Sequence, residues 1–104
     1  MNRTAFVMSV NEGCEQAYER HHNRSGQQML EMLKTHGLHN YSIFLHPQTR
    51  QLFAVVEYED RAMMDSIADE PIAKKWYAHM KDLMATNPDN SPAMIPMKEV
   101  FRMD

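Results

Sequence analysis

The 104-residue sequence contains one cysteine, Cys14, so no internal disulfide framework can staple the fold. It also lacks any block of lysine or arginine. Its 11 basic and 14 acidic residues are mixed along the chain and give a formal net charge of -3 with histidine neutral. That balance argues against a nucleic-acid surface or an anionic-membrane surface. Apolar runs stop after a few residues, as at positions 52–56, far short of the ~20 needed to span a bilayer. The opening Met-Asn-Arg-Thr-Ala-Phe-Val-Met has no long apolar stretch of the kind a signal peptide carries. A cytoplasmic protein with no membrane partner is expected. There is no internal repeat and no low-complexity tract.

What is present is ordinary globular composition, 43% hydrophobic and 24% charged, which suits one domain over residues 1–104 with one modest core. Eleven methionines are many for this length. Their adaptable side chains suit core filling, with a functional methionine surface as the alternative.

Residues 3–10 alternate as a strand, with Ala5, Val7 and Ser9 opposite Phe6, Met8 and Val10. Asn11 is placed to cap a following helix, with Glu12 and Glu15 in its first turn. That helix carries Cys14, Ala17, Tyr18, His21 and His22. Asn23-Arg24-Ser25-Gly26 interrupts it, and Ser25 with Gln28 has the spacing of a capping box for a second helix. Gly26 makes the loop permissive. Met29, Leu30, Met32 and Leu33 give that helix its apolar stripe, and Gly37 suits the left-handed position after its last turn. Residues 40–45 and 52–58 then read as an antiparallel hairpin around the turn Pro47-Gln48-Thr49-Arg50. Asp60 caps a short helix, and Pro71 opens a longer one with Ile72, Trp76, Met80, Leu83 and Met84 as its buried stripe. Residues 86–92 form a stiff polar loop, and residues 98–103 form the closing strand.

The order strand, helix, strand, strand, helix, strand is the ferredoxin-like βαββαβ unit, an α+β fold. It places a four-stranded antiparallel sheet under helices that lie on one face. Both faces of the hairpin strands are nevertheless apolar, as in Val55 with Val56 and Ile43 with Phe44. A bare apolar face of this kind is expected to pack against a second copy in a two-fold homodimer.

The chemistry-bearing stretch is residues 18–40. Tyr18 and His22 are four apart, about 40° apart in azimuth on a helix, where a phenol and an imidazole can bind a polar ligand and move its protons. A half-buried helix face is the plainer reading of the same spacing. Trp76 stands in an apolar stripe that core packing alone would explain, and Tyr41 alternates with Ile43 as in any sheet. The adjacent His21 and His22 diverge, and His36 and His39 straddle Gly37. Neither pair is a compact ligand motif, and no metal site is expected. His46 and His79 are expected to be exposed, and Cys14 buried and inert.

Several segments together resemble the L-rhamnose mutarotase family over essentially the full length. They are Ala5-Phe6-Val7-Met8, Tyr18 with His22-Asn23, His36-Gly37 with His39-Asn40-Tyr41, Leu52-Phe53-Ala54, Trp76, and Glu99-Val100-Phe101. Asn87-Pro88-Asp89-Asn90-Ser91-Pro92 is the most specific. The resemblance implies a dimeric α+β-barrel isomerase that interconverts the α and β anomers of L-rhamnose without metal or organic cofactor. It implies His22 as the acid/base residue, and Tyr18, Tyr41, Trp76 and Tyr77 as sugar-binding residues; an imidazole, with a reference pKa of ~6.5, can give or take a proton near neutral pH, and His22 is expected to exchange one with the ring oxygen. The chain departs from the family in two places. After His-Asn the family typically has Pro-Ile-Trp-Pro-Glu-Leu, where this chain has Arg24-Ser25-Gly26-Gln27-Gln28-Met29. Tyr77 also stands where a second Trp is usual. The competing readings are another dimeric α+β-barrel activity, such as a cofactor-independent monooxygenase or a haem-degrading enzyme, and a sugar-binding module without turnover.

Overall fold

The computed structural model describes residues 2–24 and 26–103. Its centre is the antiparallel pairing of β1 (Asn2–Ser9) with β3 (Gln51–Tyr58), which runs from Asn2 opposite Tyr58 to Ser9 opposite Gln51. β2 (Leu38–Leu45) pairs with the other edge of β3, and β4 (Ile95–Met97) with β1. The sheet order is therefore β2-β3-β1-β4, all antiparallel, the ferredoxin-like arrangement expected from the element order.

The period-two pattern of β3 explains the layering. Leu52, Ala54 and Val56 are 1%, 2% and 1% exposed and face the helices. α1 (Glu15–Arg24) brings Tyr18 to this face, α2 (Gln27–Thr35) brings Met32, and α4 (Pro71–Met80) brings Ala73 and Met80. The core is in two parts. One gathers Met8, Val10, Tyr18, Leu52, Ala54, Met80 and Met84; the other gathers Met32, Leu38, Val56, Ile67 and Ala73. Phe6 packs against both.

The opposite face of the sheet carries Ala5, Val7, Phe44, Phe53, Val55, Ile95 and Met97, as the registers Val7–Phe53–Phe44 and Ala5–Val55 require. None belongs to the helix-facing core, and Phe44 and Ile95 remain 65% and 64% exposed.

Local signals account for most element ends. Asp60 caps α3 (Arg61–Asp65), accepting from the Ala62 and Met63 amides at 2.8 and 3.2 Å. A 3-10 turn (Ser66–Asp69) leads to Pro71 at the first turn of α4. Gly37 adopts φ +80° after α2, and its amide closes on the Lys34 carbonyl at 3.0 Å.

Six expectations need correction. Asn11 does not cap a helix: its side chain donates to the Asp82 carbonyl at 3.1 Å, Gly13 turns at φ +81°, and α1 begins only at Glu15. On α4, Ile72 is 38% exposed while Ala73 is fully buried, and the helix stops at Met80, so Leu83 and Met84 pack from the turn beyond it. The closing strand is Ile95–Met97 rather than residues 98–103. Pairing with Ala5, Phe6 and Val7 ends at Met97, Arg3 then holds Glu99 at 2.6 Å, and Val100, Phe101 and Met103 stay more than 80% exposed. Cys14 is only half-buried, as is His46, whose Nδ1 accepts from the Gln48 and Thr49 amides, each at 3.3 Å. Finally, Gly26 is not a permissive joint. Its φ is -87°, and a Cβ there would lie 2.8 Å from the His22 carbonyl oxygen, so the glycine is needed for close approach. Ser25, the other half of the expected capping box, lies outside the described residues.

Leu52→Ala should remove about 2–5 kcal/mol of stability through the lost transfer term and the cavity left behind. Urea unfolding should show a lower midpoint at an unchanged slope. A loss under about 1 kcal/mol would contradict the central place given to this residue.

Candidate active site

Tyr18 and His22 sit one turn apart on α1, with ring centroids 4.4 Å apart and planes tilted 37°. The His22 Nδ1 lies 3.0 Å from the Tyr18 backbone carbonyl. A carbonyl can only accept, so Nδ1 carries the hydrogen and donates it. In the neutral ring the lone pair is then on Nε2, the nitrogen free to meet a ligand. Trp76 of α4 meets His22 edge-on, centroids 5.2 Å apart at 85°. The helix spacing supplies the Tyr18–His22 contact, and the turn closed on Gly26 ends α1 just beyond it.

Tyr41 reaches the same place through an irregularity in β2. His39 pairs with Glu57 and Ser42 with Val55, so β2 spends two residues where β3 spends one, and Asn40 takes φ 49°. Bulges of this kind re-aim a side chain. Here the Tyr41 ring meets Phe6 edge-on at 6.3 Å, on the helix-covered side of the sheet, and Asn40 is held by a hydrogen bond to the Glu57 carboxylate.

Trp76 and Tyr77 are consecutive on α4, so they diverge by about 100°. Trp76 packs with the core part that contains Tyr18, and Tyr77 with the part that contains Met32. The gap between the two parts is a cavity of about 1080 Å³, and Tyr18, His22, Tyr41, Trp76 and Tyr77 all line it. Every residue expected at the site from sequence is thus brought to one cavity.

Burial sets the charge states there. It pushes the Tyr18 phenol up to about 12, so this hydroxyl stays protonated near neutral pH and can donate. Tyr41 is raised too, by burial first and then by the neighbouring Tyr18 and Tyr77. The residue as a whole leaves 37% of its surface exposed, so the buried part is the hydroxyl end. Tyr77 is raised by burial and then by the charge of Asp89. His22 is held below the ordinary 6.5 chiefly by desolvation, against the opposing pull of the Tyr18 carbonyl and with a smaller lowering by His21. The site therefore presents a neutral imidazole among neutral phenols, a proton acceptor beside hydrogen-bond donors.

Three contributors were not visible as site residues in the sequence. Phe6 looked like any strand residue; only the fold shows it bridging both core parts and backing Tyr41. Gly26 lines the cavity beside His22. Asp89 lies in the stiff loop, where it accepts from the Ser91 amide at 3.0 Å and the Ser91 hydroxyl at 2.5 Å, and it acts on Tyr77 by charge. That loop sends Pro92, then Met94, to the cavity wall; its Asn-Pro-Asp-Asn-Ser-Pro run was the available signal. His21 Nδ1 also meets His79 Nε2 at 2.9 Å, tying α1 to α4 beside the site. Among the described residues no three His, Cys, Asp or Glu side chains gather where they could hold a metal ion.

An imidazole and three protonated phenols in one aromatic cavity of a ferredoxin-like α+β protein can bind a small polar molecule and exchange its protons. Comparison with known proteins narrows the class. The family model described as L-rhamnose mutarotase matches residues 3–103. An L-rhamnose mutarotase from Opitutus terrae is 55% identical over 104 residues, which is 100% of both chains. The crystal structure of an L-rhamnose mutarotase from Formosa agariphila superposes with a TM-score of 0.91 at 39% identity, again over 100% of both chains. An antibiotic biosynthesis monooxygenase structure from Nitrosomonas europaea reaches a TM-score of 0.65 at 14% identity, over 97% of this chain and 100% of that one, and shares the fold alone. The chain belongs to the L-rhamnose mutarotase family.

An NMR titration of His22 should give a midpoint below 6.5. Because desolvation lowers it, Trp76→Ala, which opens the ring to water, should move the midpoint upward. A midpoint at or above 6.5 in the native protein would contradict the assigned environment.

Proposed function

We propose that this chain is a cofactor-independent isomerase that interconverts the α and β anomers of L-rhamnose, with His22 as its acid/base group. The observation that carries the reading is the His22 ring, its Nδ1–H committed to the Tyr18 carbonyl and its Nε2 left free in an aromatic cavity. Family membership supplies the substrate.

Anomer exchange breaks the bond between C1 and the ring oxygen, and recloses it on either face of the carbonyl. On opening, the ring oxygen gains a proton and the anomeric hydroxyl loses one; on closing, both transfers reverse. In this proposal Nε2 exchanges the proton with the ring oxygen. As the open chain recloses, neutral Nε2 takes the proton from the hydroxyl whose oxygen attacks C1. In the opening direction Nε2 first takes a proton from water, and the resulting imidazolium passes it to the ring oxygen as the C1–ring-oxygen bond breaks. A lowered pKa makes that imidazolium the stronger acid. The proton of the anomeric hydroxyl passes to water or to another group of the cavity.

Tyr18, Tyr41 and Tyr77, all neutral, hydrogen-bond the sugar hydroxyls. Trp76 offers its face to the methyl and C–H-rich side of a deoxysugar. The reaction runs slowly in water unaided, so positioning and modest proton transfer suffice.

In the same proposal residues 1–104 form one domain, located in the cytoplasm. No helix among the described residues is long and apolar enough to cross a membrane. Two copies pack through the bare sheet face, where Phe44, Ile95 and Met97 are exposed.

Saturation transfer between the α and β anomeric protons of L-rhamnose should show faster exchange with the protein. His22→Ala should cut the catalysed rate by about 10²–10⁴-fold. An unchanged rate in that variant would overturn the role of His22. Sedimentation at micromolar concentration should give twice the 12.2 kDa chain mass; a species of 12.2 kDa alone would reject the dimer.

A further inference from the structure

The cavity does not end at the aromatic cluster. Its lining extends from His22 and Gly26 to Met29, Leu30 and Leu33 of α2 and to Met64 of α3, a part called the lobe below. Leu30 leaves 45% of its surface exposed. Gln27, with the ion-paired Arg61 and Asp65 (3.1 Å), gives the lobe a polar rim. The total, about 1080 Å³, stands at the top of the ~300–1,000 Å³ range that holds drug-sized ligands, well beyond one deoxyhexose.

Between the two parts, the cavity wall at Gly26 carries no side chain. Gly26 presents only its backbone beside His22, and the 2.8 Å separation between a would-be Cβ and the His22 carbonyl oxygen forbids any side chain on this backbone. The family's usual large aromatic is missing from this stretch, and a glycine that cannot be enlarged stands in the wall.

We propose that the lobe is a subsite for a second sugar ring, so that the protein also exchanges the anomers of reducing disaccharides whose reducing-end residue is L-rhamnose. The inference rests on the mutarotase reading above. The reducing residue occupies the aromatic cluster with its free anomeric centre at His22. The second ring, joined through a non-anomeric oxygen, passes Gly26, lays a C–H face on Leu30 and Met64, and turns hydroxyls toward Gln27 and the rim. The chemistry is unchanged: the C1–ring-oxygen bond opens and recloses, one proton moves each way, and the glycosidic bond is untouched.

The test is anomeric saturation transfer on free L-rhamnose and on disaccharides linked to O2, O3 or O4 of a reducing L-rhamnose, with the native protein and with Leu30→Trp. At least one disaccharide should be exchanged with kcat/KM within about tenfold of free L-rhamnose. Leu30→Trp, by refilling the lobe, should lower that value about tenfold or more while changing free L-rhamnose by less than about twofold. Acceleration of free L-rhamnose with no disaccharide above its spontaneous rate would overturn the subsite and leave the mutarotase reading standing. An equal loss on both sugars in Leu30→Trp would also overturn it. No acceleration of any sugar would overturn the mutarotase reading itself, and the subsite with it.

Discussion

The pairing of β1 with β3 is the constraint on which everything else depends. Its register puts Phe6 and Met8 beside Ala54 and Leu52 on one face, and Ala5 and Val7 beside Val55 and Phe53 on the other. A slip of one residue would exchange the two sets. With the register as it is, four helices cover one face, and the other is left apolar and open. The covering is also incomplete: the core packs as two groups, one with Tyr18 of α1 and one with Met32 of α2, α4 contributing to both and Phe6 bridging them from beneath. The cavity lies at that seam, so the site is a consequence of how the core is divided.

Within the seam, placement and charge state have the same cause. The i, i+4 geometry of α1 stacks Tyr18 near His22 and supplies the carbonyl that fixes the imidazole hydrogen on Nδ1. Burial then keeps the phenols protonated, and partial desolvation of the ring beside Trp76 lowers the imidazole. A hydrophobic wall thus tunes polar groups that it does not hydrogen-bond. The break after α1 also matters to His22, because the chain turns back against its carbonyl at a position where a bare Cα is required.

Much of this was legible in the sequence, for identifiable reasons. Strict alternation in residues 52–58, Asp60 before a helix, Pro71 in a first turn and Gly37 after a last turn are local signals, and local geometry honours them. The element order then leaves few topologies. The failures came where a partner far along the chain decides. Asn11 satisfies the Asp82 carbonyl instead of a helix, and residues 98–103 alternate like a strand but have no pairing beyond Met97. Ile72 and Ala73 exchange roles because the rotation of α4 is set by what it packs on, which a stripe of apolar letters does not reveal. For the site, Tyr18 and His22 could be paired by spacing. Their union with Tyr41, Trp76 and Tyr77 came from family resemblance, since three elements contribute and no periodicity links them. Phe6, Gly26 and Asp89 act through contacts that exist only after folding.

The central claim is that His22 keeps Nδ1–H on the Tyr18 carbonyl and offers Nε2 to the sugar. The ¹⁵N chemical shifts of His22, recorded above its titration midpoint with and without L-rhamnose, test it most directly. The free protein should show a protonated Nδ1 and an unprotonated Nε2, with the Nε2 signal moving when the sugar is added. A free protein with the hydrogen on Nε2, or an Nε2 signal that saturating sugar leaves in place, would contradict it.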